Sequence, residues 1–174
     1  GSVVNLPAMH LEPGVVATYA GTKDALGGVL DSGCYPGGVD DVAEQICAGL
    51  RNAGFAATAD ATVMAQKYAK LLSNLSNALE LVLADRHDFR DAGRVLRAEA
   101  LACYEAGDIN YVPLRDYITR NSELYTPVEL VDAPRAGGST LQSLQRGAAE
   151  VETDYLNGEI TLLGRLHNVA TPHN

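Results

Sequence analysis

The sequence predicts a mainly α protein, a helical bundle preceded by a short α+β segment. Three observations lead there. Apolar residues recur at helical spacing through most of the chain after residue 60, and β-type runs bounded by Pro and Gly are confined to the residues before it. The composition, 47% apolar and 20% charged, is ordinary globular usage and too hydrophobic for a solvated polyanion. At 174 residues the expectation is one domain, or one domain plus a piece of another.

Taken in order, Gly1-Ser2 reads as a scar of tag removal, without the basic and apolar regions of a leader. Val15–Tyr19 follows Pro13-Gly14, and Gly28-Val29-Leu30 leads into the turn signal Tyr35-Pro36-Gly37-Gly38, so these segments read as two paired strands. From Asp40 the period becomes helical, with Val42, Ile46 and Leu50 four apart and Gly54 at the expected C-cap. Phe55–Thr58 reads as one more strand. Strand, strand, helix, strand does not make a self-sufficient domain; it has the pattern of the tail of an α/β sheet.

Asp60 is a candidate N-cap, and one long helix is expected over 61–84. A second is expected from Asp88 to Ala106, stopped by Gly107-Asp108, and Pro113 opens a shorter one to about Ser122. A connector containing Pro127 and Pro134 runs to Gly137-Gly138. Ser139 with Gln142 three residues later fits a capping box, so a helix is expected from Thr140. The last is expected from Ala149 to His167.

Charge and cysteine usage narrow the function classes. With 13 Lys+Arg against 22 Asp+Glu the net charge is −9, which argues against a binder of nucleic-acid phosphates. The most apolar segment, 71–84, is interrupted by Ser73, Asn74, Ser76, Asn77 and Glu80 and falls short of the ~20 apolar residues of a membrane span. Cys34, Cys47 and Cys103 are widely spaced, and the four histidines match no metal-ligand spacing, so neither a disulfide framework nor a metal site is expected and a cytoplasmic location fits.

Two places put polar groups where packing alone does not require them. On a helical wheel at about 100° per residue, Lys70, Asn74 and Asn77 form one polar stripe beside Leu71, Leu75 and Leu79. A solvated face is the bland reading, yet Asn competes with the helix backbone for hydrogen bonds, and two of them three residues apart call for a reason. On the last helix Glu152 falls with Leu156, Ile160, Leu163 and Leu166, a placement that requires a partner for its carboxylate or a functional use. Gly158 inside the same helix suggests close approach of another backbone. Ser139, at a helix start, is a candidate for holding an anion, although plain capping explains it as well.

KYAKLLSNLSNAL at 67–79, STLQ at 139–142 and ETDYLNG at 152–158 together resemble the C-terminal half of the ketopantoate reductases (2-dehydropantoate 2-reductases), over essentially the whole chain. The resemblance implies a helical substrate domain like that of the 6-phosphogluconate dehydrogenases over 61–174, and the last strands and helix of a truncated Rossmann domain over 3–60. It implies Lys70 and Glu152 as catalytic residues, with Asn74, Asn77 and Ser139 as substrate contacts. NADPH would bind the missing N-terminal Rossmann half, and none of its contacts would lie in this chain. The implied activity is NADPH-dependent reduction of a 2-oxo acid, ketopantoate to pantoate in pantothenate biosynthesis. This fragment would supply the general-acid lysine, be inactive alone, and belong to a possible homodimer. Ala78 stands where a second family Asn often occurs, His87-Asp88 where an Asn-Gly is usual, and Ala136 where some members have Asn. A reading from another class competes with this one: a non-catalytic helical binding or dimerisation module in which the polar residues form a satisfied core network.

Overall fold

The computed structural model describes the whole chain except residues 22–26, 83–89, 135–136, 146 and 148–150, and describes the backbone alone for residues 80–82 and 139. His87-Asp88, Ala136 and the expected helix starts at Asp88 and Ala149 lie outside the described residues. The protein is mainly α-helical, with short strands near its start. Two compact units are present: residues 1–70 with 111–135, and residues 71–110 with 136–174.

In the first unit, β1 (Ser2–Asn5) runs antiparallel to β5 (Val29–Ser32), and β2 (Ala8–Glu12) forms a hairpin with β3 (Val15–Thr18). The expected pairing of the segments at 15–19 and 28–30 with each other is therefore replaced by two separate pairs. The turn at Gly14 (φ +85°) folds β3 back on β2. A two-residue strand, β4 (Ala20–Gly21), pairs with β6 (Thr126–Pro127), and neither was marked by its sequence. The segment expected as a strand at 55–58 lies parallel along β5, with Leu30 N donating to Ala56 O and Ser32 N to Thr58 O. Only the isolated bridges of that segment qualify as β-structure.

Between them runs α1 (Asp41–Asn52), whose N-cap Asp40 accepts a hydrogen bond from Ala43 N at 2.8 Å. That bond holds the Asp40 carboxyl below its usual range. The buried face of α1 is Ala43 and Cys47, while Val42 and Ile46 are 60% and 47% exposed. The small residues face inward because the helix lies close to its neighbours there, a choice that hydrophobic spacing does not reveal.

α5 (Leu114–Leu124) joins the same unit through polar contacts. Tyr117 Oη donates to Asn5 Oδ1, and Asn5 Nδ2 donates to Asn121 Oδ1 at 3.2 Å. Arg120 Nη2 meets Asp31 Oδ2 at 2.6 Å, with Asp31 fully buried and its other oxygen taken by Thr58 N. Buried charge is tolerated here because both carboxylate oxygens are satisfied.

The expected single helix over 61–84 is two: α2 (Val63–Asn74) and α3 (Asn77–Val82). The break falls within Ser73-Asn74-Leu75-Ser76-Asn77, where short polar side chains weaken the helix from both sides. In the second unit, α4 (Arg90–Ala106) packs against α7 (Thr153–His167), burying Leu96, Ala100, Cys103 and Tyr104 with Ile160 and Leu163. α6 (Ser139–Gln145) packs against α3. The left-handed Asn168 (φ 55°) ends α7 and turns the chain back over it. Among the described residues no helix is long and apolar enough to cross a membrane.

Candidate functional site

Lys70 lies on α2, half-buried, and its Nζ donates to the backbone carbonyl of Val4 in β1. Lys67, one turn earlier, donates to Ser2 O at 3.0 Å. Gly33 N donates to Gly1 O across the β1–β5 pair, so Ser2 and Val4, at alternate positions, turn their peptide groups away from β5. Two ammonium groups thus occupy carbonyls on the open edge of β1, where unpaired backbone groups otherwise face solvent. Gln66, one turn before Lys70, is only 8% exposed, whereas the two lysine–carbonyl contacts are exposed.

Asn74 ends α2 one turn after Lys70, is half-buried and accepts a hydrogen bond from Ser73 Oγ at 3.4 Å. Asn77, also half-buried, opens α3 on the far side of the break. Lys70 and Asn74 share α2 and Asn77 belongs to α3, so a single helical wheel cannot be continued across all three. Ser139 opens α6, so the helix begins one residue earlier than the capping box implied. Gln142 still reaches back to the helix start, but its Nε2 donates to the Gly137 carbonyl at 3.1 Å. Since α6 packs on α3, Ser139 and Asn77 are carried by neighbouring helices.

Glu152 departs from expectation. It is exposed and precedes α7 as its N-cap residue, without a side-chain cap bond, so it is not on the buried face. The helix starts at Thr153, and its buried residues are Asn157, Ile160, Leu163 and Gly164, while Leu166 is 68% exposed. The expected line therefore holds at Ile160 and Leu163 and fails at Glu152 and Leu166, with Asn157 and Gly164 joining the buried side instead.

The polar residue inside that buried line is Asn157, 7% exposed, which sequence reasoning passed over although it belongs to the third motif. Its Nδ2 donates to the Leu75 carbonyl and to Asn174 Oδ1, each at 3.2 Å. Leu75 sits at the break between α2 and α3, so Asn157 satisfies a carbonyl that the interrupted helix leaves open. Its Oδ1 is buried without a partner among the described residues. The signal available was an amide one turn before Ile160 on an otherwise apolar line.

Gly158 also departs from expectation, because a Cβ there would meet Thr153 O at an ordinary 3.7 Å. The tight approach is at Gly164, where a Cβ would fall 2.7 Å from the Val169 carbonyl. A cavity of about 560 Å³ in the first unit is lined by Tyr19, Tyr125, Val128 and Leu130 among other described residues.

A comparison with curated proteins gives no match. Among solved structures, 2-dehydropantoate 2-reductase from Methylococcus capsulatus is similar at 21% identity and a TM-score of 0.71, over 99% of this chain and 53% of that one. The dimeric ketopantoate reductase from Staphylococcus aureus is similar at 18% identity and 0.67, over 99% of this chain and 56% of its own. D-mandelate dehydrogenase in complex with NADH is similar at 18% identity and 0.67, over 99% and 58%. This chain thus spans little more than half the length of the proteins whose fold it shares. The family model described as "Ketopantoate reductase PanE/ApbA C terminal" matches residues 62–174, which include all five candidate residues, and the chain belongs to that family.

Proposed function

We propose that this chain is the substrate-side, proton-donating part of an NADPH-dependent 2-oxo acid reductase, acting within a longer protein. The observation that carries the reading is Lys70 itself. It heads a Lys-x-x-x-Asn pattern inside the family match, half-buried on α2, with its ammonium already engaged by a carbonyl oxygen.

Reduction of a 2-oxo acid adds a hydride to the ketone carbon and a proton to its oxygen. The chain's own contribution is the second part. An ammonium beside the ketone oxygen stabilises the charge growing there and then gives up its proton, leaving a neutral amine that solvent reprotonates. Asn74 and Glu152 are assigned to orienting Lys70 and the substrate's hydroxyl, Asn77 to a further substrate contact, and Ser139 to the carboxylate. Ketopantoate is the first substrate to assay, followed by other branched and aromatic 2-oxo acids.

The βα turn present here does not fit a dinucleotide. Its helix, α1, opens with Asp40 as cap and Asp41 and Glu44 in the first turn. Those carboxylates oppose a pyrophosphate, and Asp40 already occupies a backbone donor that a phosphate would need. The source of hydride is therefore assigned to the part of the protein outside these residues, and the isolated chain is expected to be inactive.

The test is Lys70→Ala in the full-length protein. Oxo-acid-dependent NADPH oxidation should fall by about 10²- to 10⁴-fold, the usual share of a general acid. Activity within a few-fold of the parent would remove Lys70 from the mechanism.

A further inference from the structure

Resting on the assignment of Lys70 as proton donor, we propose that Tyr117 is a positioning residue for it, acting through Asn5 and the Val4–Asn5 peptide. The carbonyl that receives the Lys70 ammonium belongs to the peptide joining Val4 to Asn5. That unit is planar, so fixing Asn5 fixes the direction of the Val4 oxygen. Asn5 is held twice. Its backbone lies opposite Val29 in the β1–β5 register, and its side-chain amide is gripped by two residues of α5 one helical turn apart.

The grip has a single sense. Tyr117 is 4% exposed, and burial is the leading cause that pushes its phenol up to about 12, so the hydroxyl keeps its proton and donates. Asn5 Oδ1 must then accept, which leaves Nδ2 to donate to Asn121 Oδ1, and Asn121 is itself 7% exposed. A flipped Asn5 amide would set its oxygen against Asn121 Oδ1, acceptor facing acceptor, and lose that hydrogen bond. Tyr117 and Asn121 are buried and Asn5 is half-buried, so the two hydrogen bonds are partly shielded from exchange with water. α5 thereby sets the orientation of a carbonyl on a strand edge, and that carbonyl sets where the ammonium rests.

The sequence contains only Lys23, Lys67 and Lys70 as lysines, which makes the test selective. Lys67 engages the Ser2 carbonyl, two residues away from the gripped peptide, and serves as the internal reference. In Tyr117→Phe the ring is kept and the donor lost. Pulse acetylation with limiting acetic anhydride, read by peptide mass spectrometry, should show Lys70 reacting about threefold to tenfold faster, the size of one lost hydrogen bond, with Lys67 unchanged. In the full-length protein the same variant should lower kcat and leave KM in place. An unchanged Lys70 rate overturns the proposal, as does an equal rise at Lys67 and Lys70, which would report general loosening.

Should Tyr117→Phe fail to fold, Asn121→Ser releases the other end of the same grip and is expected to give the same selective rise. The two readings fail separately. Full activity in Lys70→Ala defeats the proton donor and leaves the acetylation result standing, whereas a silent Tyr117→Phe beside an inactive Lys70→Ala defeats only the positioning.

Discussion

Asn157 illustrates how a polar side chain becomes structural at the scale of one residue. Its amide closes the Leu75 carbonyl at the α2–α3 break and binds Asn174 Oδ1, whose own Nδ2 donates to Leu96 O and Glu99 Oε2. One side chain thus links a helix break to the C-terminal segment. Asn157→Ala leaves a buried carbonyl without that donor, a loss of about 1–3 kcal/mol. The melting temperature should fall by several degrees, at roughly 2–4 °C per kcal/mol for a chain of this size. A melt unchanged within a degree would show that the break is satisfied in another way.

At the scale of elements, the two glycines of α7 make opposite predictions. A Cβ at Gly158 meets only ordinary contacts, so Gly158→Ala should stabilise the helix by up to about 1 kcal/mol through propensity and unfolded-state entropy. A Cβ at Gly164 would overlap the Val169 carbonyl at 2.7 Å and Thr171 Cγ2 at 2.8 Å, so Gly164→Ala should destabilise by about 1–3 kcal/mol. Parallel thermal melts of the two variants check both signs. Both glycines occupy the same helix, and only the path of the chain after Asn168 separates them. The hydrophobic pattern located α7 and its end at His167, since local spacing and the Arg165–His167 turn carry that information. It placed Ile160 and Leu163 on the buried side, where they lie, but extended that side to Glu152 and Leu166, which are exposed.

At the scale of the molecule, the C-terminal segment is tied to α4 by Glu99, 12% exposed, which pairs with His173 Nδ1 at 2.6 Å. Desolvation pushes the Glu99 carboxyl upward, but the hydrogen bonds from His173 and Asn174 outweigh it and hold the group below its usual 4.5. A depressed carboxylate contributes stability above its unfolded pKa and loses it as the pH falls through the folded value. Thermal midpoints should therefore drop on acidifying below about pH 4.5, and Glu99→Gln should flatten that drop while lowering the midpoint at neutral pH. A parallel pH dependence in the two proteins would sink the idea.

By itself the sequence determined that the protein is mainly helical, where α4, α5 and α7 lie to within a few residues, that a helix follows Asp40, and which motifs resemble the ketopantoate reductases. Those are properties of spacing, capping chemistry and residue order, all readable within a few turns of chain. Only the tertiary structure decided that β1 pairs with β5 and β2 with β3, that Glu152 is exposed and Asn157 buried, and that the Lys70 ammonium rests on the edge of a strand whose Asn5 is bonded to α5. The physical reason is distance along the chain. Asn5 and Tyr117, or Leu75 and Asn157, meet through packing between elements far apart in sequence, and no local pattern records which face of a helix its neighbours will cover.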